Sequence, residues 1–490
     1  MILTALLIAL VVIVFFVAFL LLRTLTLHTR EQEVEKVDVP DLDVGLIARH
    51  LSEAIRCQTV SQPVMTEKER EPWRQLSAVL HENYPTLHRQ LSHKVVNDYS
   101  LLYTWKGTDP SLKPILLAAH LDVVPVEKAT EKEWAHPPFT GAIDREFVWG
   151  RGALDMKNHL ITLLEAVEFL LNQGFTPKRT IYLAFGHDEE IYGQQGALQI
   201  SKWLEQQGIK LGAVLDEGGQ ISQGLLPGVQ TPLAVVNTAE KGFLTLLVSA
   251  SGKPGHSSMP PRQTAIGIVA RALALLDDHP MPADLATIKP LLKKAGSALP
   301  LTWQIMLAND WLFKHLLVKE LEKSILLNAQ IRTTAAATMI SGGVKDNILP
   351  ASAEAKVNFR LIPGDTIERV KAYVAKTIAD PRVILKIEDQ SGWDPSNISP
   401  MDTPAYYTLE LAIKQVFGNI PVALGLDRGA TDARHYENIC KNIYRFTPVK
   451  ILPEDTSRVH GINERIRIEH LRPMVAFFIR LVRLWGEAEF

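Results

Sequence analysis

Ile115-Leu116-Leu117-Ala118-Ala119-His120-Leu121-Asp122 is the stretch from which the rest of this 490-residue chain is read. Five apolar residues run without a break into a histidine and, two positions later, an aspartate. A short unbroken apolar run is the pattern of a strand covered on both faces, as in the inner sheet of an α/β protein. The spacing therefore predicts a strand over 114–120. In open α/β sheets ligands bind just beyond the carboxyl ends of strands, which is where His120 and Asp122 fall.

The same texture continues on both sides. Leu101 to Trp105, Thr180 to Phe185 and Ala213 to Leu215 read as strands, while Val44 to Arg56 and Ile161 to Leu171 have helical periodicity. Strands alternating with helices predict an α/β layer fold with a central mixed, mostly parallel sheet. Near Lys241 the texture changes. Phe243 to Ser251 and Ala353 to Leu361 alternate as strands, Thr264 to Leu276 is helical, and 279–330 is a Leu-rich helical block. We expect an inserted α+β domain at 241–395, between a first part (46–240) and a second part (396–490) of the α/β domain. The Leu-rich block extends that domain; it suits a dimer contact, a lipid-facing surface or added core.

Met1 to Leu22 carries no charged side chain, and Arg23 ends the run. At about 1.5 Å per residue a helix of that length spans a bilayer core of roughly 30 Å. With no basic residue before the stretch and no small-x-small cleavage site, an uncleaved anchor over 1–22 is favoured over a signal peptide, with 23–45 as linker. Arg23 and Arg30 after the helix favour a cytoplasmic body on two charges only, so the side of the membrane stays open. Fifty-two Lys and Arg against 54 Asp and Glu exclude the basic excess of a nucleic-acid binder. Two distant cysteines, Cys57 and Cys440, cannot form a thiolate zinc site, so a metal here must be held by His and carboxylates.

Such residues recur where strands end: His120 and Asp122, Asp155, Glu189 and Glu190, Asp216, and His460. The ordered segments LLAAHLDVVP (116–125), WGRGALDMK (149–157), FGHDEE (185–190), LDEGG (215–219), GHSSMPP (255–261) and HGINE (460–464) resemble the M20 family of metallopeptidases. Within it they are most similar to the carboxypeptidase S and N-fatty-acyl-amino-acid hydrolase/synthase branch, from about residue 45 onward.

The resemblance implies a zinc-peptidase-type fold and two zinc ions, other divalent metals being compatible. It assigns His120, Asp155 and Asp216 to one ion and Asp155, Glu190 and His460 to the other, Asp155 bridging. It makes Asp122 the carboxylate orienting His120, and Glu189 the general base. It also makes 46–240 and 396–490 the catalytic domain and the inserted domain a lid, whose Leu-rich block would suit acyl binding and whose His256 would stabilise the oxyanion, often across a homodimer. Asn347 and Arg360 would contact the substrate's carbonyl and carboxylate, and Gly429 would close on its backbone. The bond after the bridging aspartate is often cis in the family. The implied activity is cleavage of an amide next to a free carboxylate, in a small peptide or an N-acyl amino acid. Alternatives are an N-fatty-acyl-amino-acid hydrolase/synthase proper and, remotely, a silent ligand-binding relative. A serine hydrolase is set aside, because Gly255-His256-Ser257-Ser258-Met259 lacks the closing glycine of a nucleophile elbow.

Overall fold

A computed structural model describes residues 2–27, 33–224, 226–488 and 490; Arg30, invoked above for orientation, lies outside the described residues. Its centre is an eight-stranded sheet. In spatial order the strands are Ser92–Val96, Ser100–Trp105, Ile181–Gly186, Ile115–His120, Ala213–Ser222, Ile443–Ile451, Leu233–Glu240 and Val422–Asp427. The middle four run parallel, as do the last two to each other. Antiparallel pairings flank them, so the sheet is mixed and parallel at its core. One comes from the hairpin joining the first two strands, where Asn97 and Asp98 of the three-residue loop 97–99 both adopt positive φ.

Alternation along the inner strands fills two layers. Ile115, Leu117 and Ala119 face one core with the helices Lys157–Asn172 and Ile468–Glu487. Leu116 and Ala118 face another with the helix Ala197–Gln206. Both faces are thus covered, which is why Ile115–His120 reads as one apolar run.

A second, four-stranded antiparallel sheet is ordered Thr334–Gly342, Ser352–Leu361, Gly242–Ser251, Val383–Trp393. The helices Ala265–Asp278 and Ile367–Ile378 pack on it through Ala272, Leu276, Val370 and Val374. Its edge strand Thr334–Gly342 is exposed almost throughout. The Leu-rich block differs from a simple lid extension. Its buried side chains, among them Leu292, Leu307 and Leu317, join Leu233 and Ala423 of the eight-stranded sheet. Those helices pack against the terminal strand of the large sheet through these side chains.

The first helix, Ile2–Thr24, is exposed along nearly its whole length; Leu20 and Thr24 are its buried residues. Leu27, just beyond it, is buried in the same cluster as Leu292 and Leu307.

Candidate metal centre

His120 ends one strand of the parallel core, Glu189 and Glu190 follow the end of Ile181–Gly186, and Asp216 and Glu217 lie within Ala213–Ser222, while Asp155 and His460 come from loops. His120 closes Ile115–His120 and is 1% exposed. Its Nε2 lies 3.1 Å from Asp155 Oδ1 and 3.3 Å from Glu217 Oε1. On the other side, His460 Nε2 lies 3.1 Å from Asp155 Oδ2 and 3.3 Å from Glu190 Oε2. Asp155 therefore stands between two imidazoles and turns one oxygen to each. The Asp155–Met156 peptide bond is cis.

Asp122, wholly buried, lies under His120, with Oδ1 3.2 Å from its Nδ1. The same carboxylate accepts the Ser61 hydroxyl (2.7 Å) and the backbone N–H groups of Glu189 (3.2 Å) and Glu190 (3.0 Å). One side chain thus fixes the imidazole and the turn carrying both glutamates, the kind of supporting contact that sets ligand orientation.

Beside Asp216, the ligand that the family resemblance implies, Glu217 is the residue whose carboxylate lies against His120. Neighbouring side chains of a strand point to opposite faces, so the two carboxylates of the pair have different surroundings. Asp216 Oδ1 accepts its neighbour's N–H at 2.9 Å, and its Oδ2 is buried without a partner. Burial raises its carboxyl to about 6, eased by the nearby Arg445. The carboxylate beside His120 is that of Glu217, pushed up to about 8 by burial and then by Asp155.

The electrostatics are those of a site built for cations. Burial, then the charges of Glu217 and Glu190, hold the Glu189 carboxyl well above the usual carboxylate range, against the pull of His120. Hydrogen bonds to Asp155 and Glu190 lift His460 to about 10. Glu190 Oε1 is buried without a hydrogen-bond partner. Two groups of side chains offer ligand atoms all within 4.8 Å of one another: His120, Asp155 and Glu190, and His120, Glu189 and Glu217. Crowded carboxylates with two imidazoles, no thiolate and an unpartnered oxygen are the donor chemistry of a hydrolytic zinc or related divalent ion.

Glu464, quoted above only as the end of HGINE, pins the loop that carries Asp155. Fully buried, it binds Arg151 Nη1 (2.6 Å) and accepts the N–H groups of Gly152 (3.0 Å), Leu154 (2.7 Å) and Asp155 (3.1 Å). Arg434 and His435 both bind the carbonyl of Tyr192, two residues after Glu190, at 2.7 and 3.1 Å. Gly429 follows the terminal strand Val422–Asp427, its N–H held by Asp427 Oδ1 at 3.0 Å.

The lid residues separate into two places. His256 and Asn347 come together on a two-stranded ribbon in which His256 pairs with Ile348 and the Ser257 N–H donates to the Asn347 carbonyl at 3.2 Å. Both side chains are exposed, and the His256 ring bonds Ser258 at 2.8 Å. Arg360 sits at the far end of the strand Ser352–Leu361, opposite Thr334 and Phe243, with its guanidinium 4.9 Å from the Phe243 ring centroid. Eight residue steps of strand, roughly 26 Å, separate Ser352, at the ribbon end, from Arg360. The same end carries Tyr192 and Trp393, whose rings are 5.2 Å apart. Arg360 and Asn347 therefore do not meet within one chain.

A family sequence profile described as Peptidase family M20/M25/M40 matches residues 116–484. The chain is 38% identical to the N-fatty-acyl-amino acid synthase/hydrolase PM20D1 of Xenopus tropicalis, over 98% of this chain and 94% of that one. It is 36% identical to the probable carboxypeptidase S-like 2 of Dictyostelium discoideum, over 95% and 91%. The M20 family metallo-carboxypeptidase Sso-CP2 from Sulfolobus solfataricus superposes with a TM-score of 0.64 over 90% of this chain and 99% of its own; at 18% identity that likeness speaks to the fold alone.

Proposed function

The chain belongs to the M20/M25/M40 peptidase family and is a metallohydrolase; from that premise we propose that it is a membrane-anchored, two-zinc enzyme that hydrolyses the amide bond of N-acyl amino acids. The observation that carries this reading is Asp155, one carboxylate oxygen turned to His120 and the other to His460. In this reading His120, Asp155 and Glu217 would hold one ion, and Asp155, Glu190 and His460 would hold the other. When bound, the pair supplies Lewis acidity toward the carbonyl and a water acidic enough to be deprotonated near neutral pH.

The chain's own residues do the rest. Glu189 receives the proton of the attacking water at its carboxylate and returns it to the leaving amine nitrogen. A buried carboxyl with a raised affinity for protons suits that exchange better than a solvated one. Asp122 keeps His120 and the Glu189–Glu190 turn in register. Arg360 offers its planar fork to the free carboxylate of the product amino acid, a bidentate match that lysine does not make. Gly429 leaves room for the substrate backbone to pass close: a Cβ there would have one neighbour within 4 Å, Asp427 Oδ1 at 3.6 Å.

Acyl amino acids are favoured over peptides because relatives at 38–41% identity bear the name N-fatty-acyl-amino acid synthase/hydrolase. Small peptides are the second reading, supported by the carboxypeptidase S of Saccharomyces cerevisiae at 34%. Comparing hydrolysis of a long-chain N-acyl amino acid with that of a blocked dipeptide tests the choice. A higher kcat/KM on the acyl substrate is expected; preference for the dipeptide would make the enzyme a carboxypeptidase.

The anchor reading of Ile2–Thr24 is supported by the burial of Leu20, Thr24 and Leu27 against the body, since a cleaved leader would take part of that packing with it. A homodimer is supported by the exposed edge strand with Met339 and Ile340, and by the distance of His256 and Asn347 from Arg360. In that dimer each site borrows His256 and Asn347 from a second copy. Mixing Glu189→Gln and His256→Ala chains then rebuilds one intact site per heterodimer, giving about a quarter of wild-type activity from two inactive parents under random twofold pairing. Mixtures no more active than the parents would mean that His256 acts within its own chain.

A further inference from the structure

The helices after Leu299 do more than pack against the edge of the large sheet. Leu301–Ala308 packs against the carboxyl end of the first helix. At its lower end Gly296 approaches Leu27 so closely that a Cβ would come within 2.6 Å of the Leu27 carbonyl oxygen. At its upper end the Asn309 amide donates to the backbone carbonyl of Leu20 at 3.1 Å. From Leu27 back to Leu20 the chain climbs roughly 10 Å at helical rise. The corner between Leu301–Ala308 and the next helix, Asp310–Glu322, is thus held level with Leu20, about 4–5 Å past Arg23 on the apolar side.

That corner does not present a soluble surface. Trp311 is 57% exposed, Leu312 43% and Leu316, one turn on, 52%. His315 and Lys319 share the same outward face, Leu317 and Leu321 face inward, and Asp310 is paired with Lys289. Large apolar side chains with a tryptophan at the boundary and basic residues beside them are the make-up of a helix lying in a bilayer interface.

Building on the anchor reading, we infer that the Asn309–Leu316 corner is a membrane-docking wedge: Trp311, Leu312 and Leu316 enter the headgroup and upper acyl region of the bilayer that Ile2–Thr24 crosses. The occupant of this apolar face is lipid, because the Asn309–Leu20 hydrogen bond sets its depth within the apolar span. The wedge fixes the body at two points, so the enzyme cannot swivel freely on its anchor. Its active-site sheet then keeps one orientation to the lipid surface.

The test uses the full chain in phosphatidylcholine vesicles whose acyl chains carry bromine, a short-range quencher of tryptophan. Alkaline carbonate extraction on the same vesicles reports the anchor independently. Bromine-dependent loss of emission is expected in the wild type and is expected to vanish in Trp311→Phe. Leu312→Asp with Leu316→Asp, both on the exposed face, should reduce the loss while the protein stays in the carbonate-resistant pellet. Retention in the pellet with no bromine effect, or with an effect that survives Trp311→Phe, overturns the wedge and leaves the anchor standing. A carbonate-extractable chain that still shows Trp311-dependent quenching supports the wedge and refutes the anchor; one with no quenching refutes both. A second copy seated on this face would shield Trp311 and also give no quenching.

Discussion

Glu189→Gln is expected to lower kcat by about 10²- to 10⁴-fold, the usual contribution of a positioned general base. The substitution keeps the shape of the side chain and removes its capacity to accept a proton. In the assigned mechanism Glu189 is a proton carrier and not one of the metal ligands. Metal content should therefore match the wild type, and KM should change far less than kcat. The backbone N–H of Glu189 would still be held by Asp122, so the turn carrying Glu190 has no reason to move. Metal analysis with steady-state kinetics checks both halves. An active Glu189→Gln protein contradicts the role, and loss of metal would make Glu189 a ligand.

The second large effect is expected at Asp155. Asp155→Ala removes the oxygens that face both His120 and His460, so both ions lose a ligand and activity should fall to background. The pair that follows LDEGG's leucine sharpens this. Glu217→Ala should lower the metal content from two ions to one, while Asp216→Asn should keep both, because it is the Glu217 carboxylate that lies 3.3 Å from His120. Loss of an ion in Asp216→Asn with retention in Glu217→Ala would reverse the assignment.

The Asp216–Glu217 pair marks where sequence reasoning stopped. The inner strands and their carboxyl ends were legible because burial on both faces leaves an apolar run that few other arrangements produce. The phase of Asp216 and Glu217 was not, since both are acidic and the pairing of that strand with Ile443–Ile451 shifts register next to them, between Arg445 and Phe446. Glu464 was visible in HGINE, but its work is done through backbone N–H groups of a loop over 300 residues away, which no local pattern encodes. Asn347 and Arg360, thirteen residues apart, read as one binding pair; the intervening turn and strand carry them to opposite ends of the small sheet. The Leu-rich block combined core and surface in one composition, and only packing against Leu233 and Ala423 distinguishes the two.

The most direct test of the central claim, that the Asp155-bridged site hydrolyses amides through bound metal, is the hydrolysis of a long-chain N-acyl amino acid by the purified full chain before and after chelation. The account predicts that chelation abolishes the activity and that added zinc restores it. Hydrolysis that continues undiminished in a protein verified to be metal-free would contradict it.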